Sequence, residues 1–133
     1  MSEAIITTSL ELVGERAGDP TRQVYARIFA DHPEMKDLFV LDKDDAAKGN
    51  MLAEFIDCIL DLCGDKAYAK GLIQTEVINH DNLGVPREVF GTFLVTVRDV
   101  FKDILGADWT TEMDVAWQDL VTEFEDLLKV HAA

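Results

Sequence analysis

Residues 80–106 read HDNLGVPREVFGTFLVTVRDVFKDILG, and this stretch decides the fold class. After Pro86, the apolar residues Phe90, Phe93, Leu94, Val97, Phe101 and Ile104 recur at intervals of three or four. That spacing predicts an amphipathic helix with one face turned to a core. Proline suits the start of such a helix and Gly106 its end. Asp81-Asn82-Leu83-Gly84 is turn chemistry. Before the turn, Leu72, Ile73 and Val77 place another helix over residues 67–79.

The same alternation of helix and breaker extends in both directions. A first helix is expected over residues 2–15, carried by Ile5, Leu10 and Val13 and stopped at Gly18-Asp19-Pro20, where Asp19 suits an N-cap and Pro20 a first helical position. Val24, Ile28 and Phe29 define a short helix over 20–30. His32-Pro33 breaks it, and Pro33 opens a brief helical turn through Met35, Leu38 and Phe39. Past the polar Leu41–Asp45 link, Met51, Leu52, Phe55, Ile56, Ile59 and Leu60 give a wide apolar face on a helix over 46–62 ended by Gly64. Thr111-Glu112-Met113-Asp114 has the form of an N-terminal capping box, opening a last helix through Val115, Leu120, Phe124 and Leu128. No segment alternates with a period of two. The prediction is an all-α single domain over residues 1–133.

Composition narrows the partners. Twelve Lys and Arg stand against 26 Asp and Glu, for a formal charge of −14. Such a surface repels phosphate backbones and anionic membranes, so nucleic acid and membrane are not expected as partners. The N-terminal Met1-Ser2-Glu3-Ala4 has no basic n-region, and a cytoplasmic location is expected. Cys58 and Cys63 have no metal-site spacing and read as reduced core or boundary residues. No glycine-rich nucleotide loop occurs. The acidic runs 42–45 and 123–126 read as solvated faces, and Trp117 and Phe124 as packing residues.

Three histidines remain. His131 sits near the C-terminus, where fraying is expected, and His32 lies in a turn. His80 shares one helical face with Ile73 and Val77, the apolar one. On spacing alone, a core histidine satisfied by a backbone carbonyl is the commoner outcome. The alternative is a neutral imidazole binding a metal through one nitrogen while the other donates to a carbonyl. One imidazole makes no zinc site, but it suffices for haem iron, whose other four nitrogens come from the porphyrin.

His80-Asp81-Asn82-Leu83-Gly84-Val85-Pro86 resembles the corner of globins that follows the proximal histidine. Tyr25-Ala26-Arg27-Ile28-Phe29 with His32-Pro33-Glu34-Met35-Lys36-Asp37-Leu38-Phe39 resembles the matching part of bacterial single-domain globins and flavohaemoglobins. Leu105-Gly106-Ala107-Asp108-Trp109 and Ala116-Trp117 are similar to the junction of the last two helices. The resemblance covers nearly the whole chain and implies a globin fold, a three-over-three sandwich of seven to eight helices. It also implies haem b (iron protoporphyrin IX) as cofactor and reversible binding of O2, with CO and NO as further gaseous ligands. Oxidation of NO to nitrate would be secondary and, with no flavin domain expected after the last helix, would need a separate reductase. A globin-fold sensor or interaction module, with haem as signal or absent, is the other reading. A monomer or a homodimer is compatible with the wide apolar faces.

Carried over by position, the resemblance makes His80 the iron ligand, Phe39 the ring stacked on haem and Tyr25 the phenol that stabilises bound ligand. Leu52, Ala53 and Ile56 would line the ligand side, with Val77, Val85 and Phe90 also touching the cofactor. Lys48 stands where relatives carry His or Gln. It could reach a haem propionate, donate to a bound ligand or, as a neutral amine, ligate iron, and the propionate contact is the reading adopted. Glu76 replaces a customary leucine four residues before His80 and is expected to face solvent rather than the imidazole. Phe90 and Ala132 stand where flavohaemoglobins have a tyrosine and a glutamate, so their proximal polar network is missing.

Overall fold

The computed structural model describes residues 2–132, and the side chains of residues 3–129; the expectations for the His131 and Ala132 side chains lie outside them. The described residues form α1 (Ser2–Ala17), α2 (Thr21–Asp31), a 3-10 helix (Pro33–Phe39), α3 (Ala46–Cys63), α4 (Ala69–Asn82), α5 (Arg87–Leu105), a short 3-10 turn (Gly106–Asp108) and α6 (Thr111–Ala132). Among them there is no strand. The eight helical segments agree with the all-α expectation.

Two layers of three helices build the core. In one layer α3 lies between α1 and α4, and in the other α5 lies between α2 and α6. The layers meet through α1 on α5 and α6, α2 on α3, and α4 on α6. This is the three-over-three sandwich. The stripe on α5 that organised the sequence is where both layers converge: Leu94, Val97 and Phe101 are buried, as is the neighbouring Leu105, while Phe90, Phe93 and Ile104 are half-buried. They pack among Ile6 and Val13 of α1, Val24 and Ile28 of α2, Ile59 and Leu62 of α3, and Trp117 and Phe124 of α6. No described helix is long and apolar enough to cross a membrane.

Two helix starts lie one residue from their expected places. The side chain of Asp19 accepts from the backbone N–H of Thr21, so α2 begins after Pro20 rather than with it. At α6 the capping hydroxyl belongs to Thr110, which accepts from Met113 N at 3.1 Å. The Thr111–Asp114 box does not form. Asp114 instead accepts from Trp109 Nε1 and Lys102 Nζ, tying the junction to α5.

One polar link crosses the core. Trp117 is fully buried, and its indole N–H donates to Ser9 Oγ at 2.9 Å, while the hydroxyl donates to Ile6 O. A buried N–H without an acceptor costs about 1–3 kcal/mol. Ser9→Ala is therefore expected to lower the unfolding free energy by about that amount, measured by urea denaturation of the purified chain.

Candidate functional site

Helix α4 carries His80, and its sequence is poorly suited to standing alone. Gly71, Thr75 and Asn79 are weak helix formers in its interior. Both ends are held instead. At the start, the Asp61 carboxylate, reaching from α3, accepts the backbone N–H groups of Ala67, Tyr68 and Ala69 at 3.0, 2.9 and 2.7 Å. Those donors would otherwise be orphaned. Burial pushes the Asp61 carboxyl up, but the three donors outweigh it and hold it below the usual carboxylate range. At the far end Leu83 N donates to Asn79 O, and Val85 N to His80 O at 2.9 Å. Gly84 makes this closure at φ +86, a left-handed conformation that suits glycine. The corner expected around Gly84-Val85 is present.

His80 is held on this frame by a contact to the main chain. Its Nδ1 lies 2.8 Å from Glu76 O. A carbonyl can only accept, so Nδ1 carries a proton in this contact. Phe90 stacks on the ring at 4.8 Å between centroids, inclined by 29°. Ile73 and Val77 are buried on the same helix, and the His80 side chain is 21% exposed. The carboxylate of Glu76 is not turned wholly to solvent as expected: Oε2 stands 3.4 Å from His80 Nδ1.

Tyr25 occupies a second cluster. Its ring meets Phe39 edge-on at 5.4 Å and lies 5.9 Å from Phe29 and 6.0 Å from Phe93. The hydroxyl is buried and is the one described buried side-chain polar atom with no hydrogen-bond partner. Burial, with the Asp42 carboxylate as a lesser influence, pushes the phenol well above its ordinary value, so it stays a neutral donor. Leu52 is buried, Ile56 half-buried, and Ala53, expected beside them, is exposed.

Lys48 is placed differently from the propionate reading. It is buried, and its ammonium sits 2.9 Å from Asp42 Oδ2 and 3.1 Å from Asp45 Oδ1. It also lies 5.3 Å from the Phe39 ring centroid, a cation–π arrangement. The amine is engaged by carboxylates of its own chain. Its pairing with Asp42 holds that carboxyl below the usual range and raises the lysine, which opposes the neutral amine that iron ligation needs. The 42–45 run is accordingly not a uniformly solvated face: the Asp42 side chain is 6% exposed and also accepts from the N–H groups of Ala47 and Lys48 at the start of α3.

Aromatic contacts run from one cluster to the other. Tyr25 touches Phe93, Phe93 meets Phe55 edge-on at 4.7 Å, Phe55 touches Phe124, and Phe124 touches Phe90, which stacks on His80. Sequence reasoning gave His80, Tyr25, Phe39 and Phe90 but missed the parts played by Asp61, Asp42 and Phe55. The only signal for Asp61 was an acid shortly before a glycine turn. The described residues hold no cluster of three or more His, Cys, Asp or Glu able to bind a metal ion. Cys58 and Cys63 are free thiols, and burial pushes Cys58 up to about 11. The donor chemistry of the residues present suits haem: an imidazole whose Nδ1 faces a backbone carbonyl, and a buried hydroxyl with no hydrogen-bond partner.

Because the Asp61 carboxyl is depressed in the folded chain, its stabilising effect is fully present above the unfolded value of about 3.9 and is lost as pH falls through the folded value. Asp61→Asn is expected to lower the melting temperature at pH 7. The gap from the unsubstituted chain should narrow below about pH 4, as followed by circular dichroism melts.

A family model described as Globin matches residues 22–128, from the second residue of α2 nearly to the end of α6. Neither the curated proteins nor the solved structures include a match. The matched span contains both aromatic clusters, His80 and the corner after it. With four-fifths of its length inside that match and the three-over-three helical sandwich around it, the chain belongs to the globin family, whose members bind haem.

Proposed function

We propose that this globin holds haem b through His80 Nε2 and reversibly takes O2, with CO and NO as further ligands. The observation that carries the reading is the unpaired, buried hydroxyl of Tyr25. A buried donor without an acceptor is costly to a folded chain, and a diatomic ligand held beside Tyr25 would supply the missing acceptor. Haem, when bound, contributes an iron centre with affinity for diatomic gases; the protein contributes orientation and polarity.

The chain's own residues divide the work. The Glu76 carbonyl keeps the proton on His80 Nδ1, so Nε2 is free to ligate. Phe90 limits rotation of the imidazole by stacking. Phe39, backed by the Lys48 ammonium, is the ring proposed to lie against the macrocycle. Leu52, Ile56, Val77 and Val85 are proposed as its apolar lining. Tyr25 would offer its one O–H donor to a bound ligand. Lys48 serves the loop and Phe39 rather than a propionate, since two carboxylates already claim its ammonium. Oxidation of NO to nitrate remains a secondary activity of this reading, dependent on a separate reductase.

The test is spectroscopic and kinetic. Chain supplied with haem should show an intense Soret band, and His80→Ala should weaken or displace it; an unchanged band removes His80 as ligand. Tyr25→Phe should speed O2 release by roughly tenfold, the loss of one buried hydrogen bond of about 1–1.5 kcal/mol. Stopped-flow O2 dissociation at an unchanged rate would show that the phenol does not reach the ligand.

A further inference from the structure

Glu76 presents two oxygens to one nitrogen. Its main-chain carbonyl accepts from His80 Nδ1 at 2.8 Å, and Oε2 of its carboxylate stands 3.4 Å from the same atom. The spacing of four residues puts a side chain one helical turn from the ring, where it can follow the imidazole edge. Both side chains are partly sheltered, at 21% exposed for His80 and 36% for Glu76, so the charge is incompletely screened. The opposite wall of the imidazole is Phe90, an aromatic ring with no acceptor oxygen.

A negative charge beside an imidazole N–H stabilises the positive charge that builds on the ring when its other nitrogen donates electrons. We propose that Glu76 is a positioning residue for His80, its carbonyl setting the tautomer and its carboxylate strengthening electron donation from Nε2 to a bound iron. The proposal rests on the haem reading above. Its consequence is a bias toward oxidised iron, because stronger axial donation favours the higher charge. The chain obtains this polarising charge from the helix that bears the ligand, at a position where an apolar residue would leave only the backbone carbonyl.

Glu76→Gln and Glu76→Leu remove the charge and keep the carbonyl, so both variants should retain the Soret band. Each should raise the iron midpoint potential and lower the iron–histidine stretching frequency seen by resonance Raman. Potentials and frequencies equal to those of the unsubstituted protein, in variants that still bind haem, would overturn the role of Glu76 and leave the cofactor reading standing. A readout without cofactor accompanies these. Long-range proton–nitrogen NMR of the haem-free chain should find His80 protonated on Nδ1, and a ring protonated on Nε2 overturns the proposal. A chain that takes up no haem overturns both readings.

Discussion

Three backbone N–H groups converging on the Asp61 carboxylate hold the start of α4, and the placement of His80 depends on them. A helix with Gly71, Thr75 and Asn79 inside it gains little from propensity. Its geometry is set from outside, by an acid on α3 at one end and by the Gly84 closure at the other. The direction of the His80 ring is thus set by caps more than by the helix itself. The Glu76 carbonyl then adds the last constraint, the tautomer.

What could be read from the sequence followed the strength of each periodic signal. The α5 stripe is nearly faultless, and its residues face the core as expected, with Leu94, Val97 and Phe101 buried and Phe90, Phe93 and Ile104 half-buried against it. Helix α4 is the least regular, and its limits fell at 67–79 in the sequence against Ala69–Asn82 in the structure. The capping acid lies outside it, and a contact made across a turn from another helix leaves no local pattern. The same reason hid the burial of Asp42. The three acids of 42–45 look solvated until the chain folds back and encloses Lys48 between Asp42 and Asp45. Tyr25 and Phe39 were legible through family resemblance, fourteen positions apart, and the structure brings their rings into edge contact.

Charge near Tyr25 is organised as a local exchange. Asp42 and Asp45 balance Lys48, and Arg22 of α2 also reaches Asp45. Asp45 is held with φ at +63, a left-handed conformation that carries strain in a residue with a side chain. These ion pairs give the loop before α3 one preferred path despite that strain. In a chain of formal charge −14, burying a lysine with two acids places two of the many carboxylates beside a cation rather than beside one another. Phe39 gains a cation over its ring from the same arrangement.

The unpaired oxygen of Tyr25 has a meaning for how such a protein persists. Judged only by the durability of the empty fold, that atom is a defect, and drift toward a plain hydrocarbon ring would be free of penalty. On the proposed function, sturdiness of the empty fold and the holding of a gas would pull this position in opposite directions.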